Sequence, residues 1–359
     1  MMKRLQSRRT FLKQAALLPF VASTGLTNAA LAPALPASPG SVARPAIMTV
    51  AGPIPLADLG PALAHEHIMS IFGAPAAATY AYDQVALRAA VLPALKALRS
   101  DGVAAIFDCT TAYFGRDPAI LRELSRESGI RLVTNTGYYG ASNGRYLPPG
   151  LAALTADAIA ARWIAEARDG IDNTGIRPGF IKLGINDGPL SPLDRTLLVA
   201  AARTHLASGL TIAVHTGANV AAAKEQQAIL RAEGVPPEAW IWVHAHLAAT
   251  GASGASEGAD ALVAAAKSGV WLSLDGWSSK AAPRLVELLA RLKAAGLLHR
   301  VLLSHDGNLF PALGRPPRPM SFLFTEGRAM LRAAGFTDEA WKQLTQTNPA
   351  TAYAVRPRQ

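Results

Sequence analysis

A single cysteine, Cys109, stands in a chain of 359 residues, which excludes internal disulfides. No glycine-rich loop of the GxGxxG or GxxxxGK type follows any candidate strand, so a nucleotide cofactor is disfavoured. No repeat of 20–50 residues is visible, which argues against a solenoid or propeller. The formal charge of +10 suggests nucleic acid or a membrane surface, yet five positive charges (Lys3, Arg4, Arg8, Arg9 and Lys13) fall in residues 1–34, which hold no acid. Beyond them there is no dense Lys/Arg run and no basic stretch interleaved with aromatics, so no nucleic-acid partner is expected. Charged residues make up only 17% against 50% hydrophobic, the balance of a tightly packed globular enzyme rather than a disordered or fibrous chain.

The N-terminus reads as an address. Ser7-Arg8-Arg9-Thr10-Phe11-Leu12-Lys13 precedes a moderately apolar run from Ala15 to about Ala32, the pattern of a twin-arginine signal peptide. Pro19, Thr24, Gly25 and Asn28 break that run, making it a poor spanning helix, with an uncleaved anchor as the plainer alternative. The expected organisation is a signal peptide over residues 1–34, a Pro-rich leader over 35–46 and one domain over 47–359. The expected location is periplasmic or secreted, with the twin-arginine export machinery as a partner.

Short β-rich runs alternate with longer amphipathic stretches, the signature of βα units around a parallel sheet. Eight runs are found: Leu63–His67, Val103–Thr110, Arg131–Thr136, Gly179–Gly184, Leu210–His215, Trp240–His244, Gly269–Asp275 and Arg300–His305. Helical spacing marks Gln84–Arg99, Pro118–Ser128, Ala152–Ala167, Pro192–Ala207, Ala221–Ala232 and Ala282–Ala295. The predicted fold is α/β, a (β/α)8 TIM barrel, with a doubly wound open sheet as competitor. The barrel is preferred because the unusual residues stand at the ends of strands one, four, five, six and eight, and only a closed barrel brings all strand ends to one mouth.

His65 and His67 end the first run; residues two apart on a strand face the same way, so both imidazoles can reach one metal while Glu66 faces away. Of eight histidines, His65, His67, His215, His244, His246 and His305 lie at strand ends. Lys182, inside the apolar Phe180-Ile181-Lys182-Leu183-Gly184, is either paired with an inward carboxylate or chemically altered. Carboxylation by carbon dioxide would make it an anion able to give one oxygen to each of two metals. Asp306 ends the last run, where the bland role is a helix N-cap. His246 competes with His244 as the sixth-strand ligand.

Leu59-Gly60, His65-Glu66-His67, Asp108-Cys109-Thr110, Gly115-Arg116-Asp117, Thr136-Gly137-Tyr138-Tyr139, Ile181-Lys182-Leu183-Gly184, Val214-His215-Thr216, Val243-His244 and Leu303-Ser304-His305-Asp306 together resemble the phosphotriesterase family of the amidohydrolase superfamily, phosphotriesterase-like lactonases included. The resemblance covers about residues 48–355. It implies a binuclear centre with His65, His67 and Asp306 on one metal, His215 and His244 on the other, and carboxylated Lys182 bridging. Val243 stands where the family has glycine, and Ala245-His246-Leu247-Ala248 replaces an Asp-rich turn.

The resemblance implies a metal-dependent hydrolase acting on ester bonds of a lactone, carboxylic ester or organophosphate, with two divalent ions, zinc by default, activating water. Export in the folded state suits a protein loaded with metal beforehand. Lys182 and Asp306 are the expected catalytic residues, Asp306 passing the proton outward through His246 or His305. Tyr138, Tyr139 and His246 are the expected substrate-binding residues, and Gly307–Met320 is expected over the pocket. A homodimer is an open expectation. The alternative from another class is an exported metal- or ligand-binding barrel without turnover.

Overall fold

The computed structural model describes residues 44–250 and 255–356. The expected signal peptide and most of the leader lie outside the described residues.

A two-stranded antiparallel hairpin that sequence reading missed, β1 (Ala46–Thr49) and β2 (Gly52–Pro55), precedes the barrel. The first barrel strand, β3 (Ala62–Ser70), is buried at all nine positions, because one face looks into the barrel and the other meets the helices. It is followed by β4 (Ala105–Asp108) and by the third strand in two pieces, β5 (Arg131–Val133) and β6 (Asn135–Thr136). The remaining strands are β7 (Phe180–Gly184), β8 (Thr211–His215), β9 (Trp240–Val243), β10 (Trp271–Leu274) and β11 (Val301–Leu303), with β12 (Asn308–Pro311) extending the eighth.

Pairing runs β12-β3-β4-β5 in one sheet and β6-β7-β8-β9-β10-β11 in the other, every neighbouring pair parallel. The ring therefore has two seams. One is the break within the third strand at Thr134, and the other lies where the eighth strand returns to the first. That second seam is closed by β12 on β3 and by bonds from His67 N to Gly307 O (2.9 Å) and from His65 N to Ser304 Oγ (3.0 Å). The predicted (β/α)8 barrel is thus borne out over its open-sheet competitor.

Helices follow the strands: α1 (Gln84–Ser100), α2 (Pro118–Ser128), α3 (Ala156–Asp169), α4 (Pro192–Ser208), α5 (Val220–Ala232), α6 (His246–Thr250), α7 (Ala255–Lys267) and α8 (Ala282–Ala294). Local chemistry sets their ends: Asp117 accepts from Ile120 N and Gly129 closes α2 in the left-handed region, while Ser191 and Asp194 form a capping box on α4. The barrel floor is apolar. Phe107 stacks on Tyr353 at 4.0 Å between centroids and Phe180 meets it at 5.1 Å, while Tyr353 Oη donates to Ala64 O (2.9 Å). Ile47, brought in by the hairpin, joins this cluster.

Candidate metal centre

The carboxyl ends of the strands surround a cavity of about 420 Å³, with His65, His67, Lys182, His215, His244 and Asp306 on its wall. The imidazoles are close neighbours: centroid separations are 5.7 Å for His65–His67, 5.0 Å for His65–His244 and 4.4 Å for His215–His244. Asp306 Oδ1 lies 3.4 Å from His65 Nε2 and 3.3 Å from His67 Nε2. Two ligands held at about 2.1 Å in tetrahedral geometry stand roughly 3.4 Å apart, so these three atoms fit a common metal.

Hydrogen bonds behind the cavity decide which nitrogens face it. Asp275, buried, accepts from His65 Nδ1 (2.7 Å), His244 Nδ1 (2.7 Å), His244 N (3.2 Å) and Ser273 Oγ (2.8 Å). Burial alone would raise its pKa, but His244 and His65 hold the carboxyl well below its ordinary value. Thr110 spends its hydroxyl hydrogen on Met69 O (2.8 Å), so it accepts from His67 Nδ1 (2.9 Å). Three histidines thereby turn Nε2 toward the cavity, the outer-partner arrangement typical of metal-ligating imidazoles. Burial lowers the His67 pKa to about 4, against the opposing pull of Asp306, which keeps the ring neutral at pH 7. His215 is likewise lowered by burial, then by His244 and Lys182, and its Nδ1 lies 3.3 Å from Tyr139 Oη.

Lys182 has 1% exposure, and its Nζ donates to Leu183 O (3.2 Å) and sits 5.3 Å from the Tyr139 ring centroid. Among the described residues it forms no salt bridge, although Asp306 faces the same cavity. Burial drives its pKa down, and the raising influence of Cys109, Asp306 and Asp275 does not compensate. Asp306 is no helix cap. Its carboxyl is held far below the ordinary range because His67, His244 and His65 outweigh the cost of burial.

His244 and Asp306 share a further property: both adopt positive φ, 58° and 56°. Neither is glycine, so each costs backbone strain of about 1–3 kcal/mol, which the bonds from His244 N to Asp275 and from Asp306 N to His65 O (3.3 Å) help to hold.

Several expectations need correction. Tyr138 is absent from the cavity wall: it packs on Trp163 (5.3 Å) and Tyr113 (6.1 Å), because consecutive residues of extended chain point opposite ways and Tyr139 takes the inward side. His246 opens α6 outside the wall, its ring lying over Gly276, where a Cβ would stand 2.4 Å from Nε2. Between the two sixth-strand candidates the cavity therefore takes His244. His305 cannot relay a proton from Asp306 as expected, since its Nδ1 bonds Glu66 Oε1 (2.8 Å) and its Nε2 accepts from Leu323 N (2.9 Å). Glu66 does face away, and it clamps the end of the eighth strand through Ser304 Oγ, His305 N and Gly307 N.

Sequence reading missed Asp275, Thr110, Phe72 and Phe114. Asp275 was findable, because it closes the apolar run Trp271-Leu272-Ser273-Leu274 just as Asp306 closes the eighth. The segment after Asp306 does cover the pocket, with Asn308, Pro311, Arg315, Pro316 and Arg318 on its wall.

Known proteins resemble this chain in sequence and in fold. The phosphotriesterase family model matches residues 45–353. The Phosphotriesterase homology protein of Escherichia coli is 27% identical over 297 residues, covering 81% of this chain and 97% of that protein. An organophosphorus hydrolase mutant from Deinococcus radiodurans superposes with a TM-score of 0.74 at 27% identity, covering 86% of this chain and 96% of that one. A structure in which organophosphate hydrolysis was engineered from a weak promiscuous lactonase template gives 0.73 at 26% identity, covering 86% and 99%.

Proposed function

Because the chain belongs to the phosphotriesterase family, a family of metal-dependent hydrolases, we propose that it cleaves a carboxylic ester, by preference a lactone, with phosphotriesters as the alternative substrates of the same site. The observation that carries this reading is the convergence of four imidazoles, Lys182 and Asp306 on one cavity, with the tautomers of three imidazoles fixed from behind.

His65, His67 and Asp306 group closely enough to hold one divalent ion, zinc by default, and His215 and His244, with Lys182 on the same cavity wall, would hold a second. Lys182 is read as carboxylated. Burial favours its neutral amine, the form that adds carbon dioxide, and the product supplies two anionic oxygens where an ammonium would repel metal. When bound, the ions would supply an acidified water as nucleophile and a Lewis acid for the substrate oxygen.

The chain's own groups do the remaining work. Asp306 would hold the proton released by that water, and its Oδ2 accepts from the exposed Arg318 at 3.2 Å. Tyr139 offers Oη to orient the substrate; burial raises its pKa, so it remains a hydrogen-bond donor at neutral pH. Asp275 keeps His65 and His244 from rotating.

Metal analysis of purified protein, followed by assays on lactones, aryl esters and phosphotriesters, tests the proposal. About two equivalents of metal and fastest turnover on lactones are expected. Full loading without turnover on the whole panel would instead favour a binding barrel. Export through residues 1–34 is a separate proposal: replacing Arg8 and Arg9 with Lys should retain the protein in the cytoplasm, and unchanged export refutes it.

A further inference from the structure

Beyond the metal ligands, the cavity wall runs outward as a line of rings. His67 meets Phe114 edge-on at 5.7 Å, Phe114 meets Phe72 at 6.2 Å, and the Arg315 guanidinium lies 5.2 Å from the Phe72 centroid. Arg315 is placed there by its surroundings. A Cβ on Gly73 would stand 2.6–2.9 Å from the guanidinium, so the bare glycine backbone leaves the space it occupies. The loop that carries it is pinned at its base by paired bonds between Asn308 and Arg318 (2.8 Å each) and by Ala312 N to Ser70 O (2.8 Å), and stiffened by Pro316, Pro317 and Pro319.

The charges on this wall are unequal. Among the described residues Asp306 is its only carboxylate, and it is already engaged by His65, His67 and Arg318. Arg315, with five donors in a planar fork, has no hydrogen bond or ion pair among the described residues beyond its contact with Phe72. An exposed, unpaired guanidinium held over Phe72 at the end of an apolar wall is a receptor for a carboxylate or phosphoryl anion.

We propose that the substrate carries a carboxylate or phosphoryl group at the end remote from the bond cleaved, separated from it by an apolar spacer, and that Arg315 binds that group. The inference rests on the hydrolase reading above and narrows its substrate class to anionic esters or lactones. The apolar spacer runs along Phe114 and Phe72, and the anion closes on the guanidinium at the rim, where added salt weakens the contact.

The test pairs mono-4-nitrophenyl glutarate with its methyl ester, which has the same shape without the charge, and adds a phosphonate-ended analogue to separate the two anions. For metal-loaded wild type, kcat/KM should favour the charged members by about 10- to 100-fold, expressed in KM and shrinking with ionic strength. In Arg315→Gln the ratio should fall toward unity, and Arg315→Lys should restore part of it. Equal rates on charged and neutral esters, or a preference that survives Arg315→Gln, overturns the inference while leaving the hydrolase intact. If neither ester is cleaved, the hydrolase reading fails instead, and calorimetry decides on Arg315. Glutarate should then bind wild type at least about tenfold tighter than Arg315→Gln, while neutral glutaramide shows no such difference; equal glutarate affinities reject the inference.

Discussion

The two ends of this barrel are built from the same strands and to opposite purposes. At the floor, Phe107, Phe180, Tyr353 and Ile47 interlock, and the one polar atom of note, Tyr353 Oη, donates to Ala64 O. At the mouth, histidines, a lysine and an aspartate face a cavity, two of them on strained backbone, while buried polar groups brace them from behind. The floor gains stability from apolar burial, whereas the mouth spends part of it to hold charged groups in fixed directions. Conservative changes at the two ends should therefore fail in different observables.

The largest difference is expected at Lys182. Lys182→Ala should lower hydrolysis by about 10³-fold or more and reduce metal stoichiometry, with a thermal midpoint near that of wild type. Acetate or propionate entering the gap should restore part of the rate. Near-normal metal content and turnover would show that Lys182 is only a core lysine.

Tyr353→Ala is the matching change at the floor. It removes the ring stacked on Phe107 and should cost about 3–5 kcal/mol in denaturant unfolding, with turnover per folded molecule preserved. Loss of turnover in the folded fraction would mean that the two ends are coupled.

Where β6 ends, outside the cavity wall, the buried Arg116–Glu166 pair gives a test of charge that faces no cavity. Arg116 Nη1 and Nη2 bond Glu166 at 3.0 and 3.2 Å, and Thr136 Oγ1 donates to the same carboxylate at 2.8 Å. Burial works against the carboxylate, but Arg116 prevails and the Glu166 pKa is lowered. A lowered folded pKa means stabilisation that is full above the unfolded value of about 4.3 and is lost as pH falls through the folded one. Glu166→Gln should thus cost about 3–5 kcal/mol at neutral pH, and the gap from wild type should narrow below about pH 4. A gap independent of pH would assign the loss to packing.

The smallest effect is expected from Asp275→Asn, which keeps shape but removes the charge shared by His65 and His244. Metal affinity should drop by about 10- to 100-fold with the fold intact. Affinity equal to wild type would mean that the histidines are positioned by packing alone.

The strands and most outer helices were legible from the sequence because their signals are local: short β-rich runs and longer stretches with helical spacing. The break at Thr134 was not, since it depends on which neighbour each half of the third strand pairs with, and the short hairpin at Ala46–Pro55 was missed although its pairing is local. The same holds within the site. Lys182 stood out because an ammonium among apolar neighbours is anomalous in sequence alone, while Asp275 and Thr110 act only through partners far along the chain, His65 and His67. Tyr138 and Tyr139 carry identical local signals, and only the orientation of the strand end separates the buried one from the one on the cavity.

By itself, then, the sequence determined the alternation of strands and helices, the closing of runs by His65, His67, His215, His244 and Asp306, and the anomaly at Lys182. Hydrophobic periodicity and the cost of a buried charge are properties of short stretches, so they are readable one stretch at a time. Tertiary structure alone decided that Glu66 and His305 brace the eighth strand, that His246 stays behind the wall while His244 faces the cavity, and that Arg315 comes to rest on Phe72. Each of those outcomes depends on the closure of the ring, which brings residues more than 200 positions apart within hydrogen-bonding distance and sets which way each strand end turns.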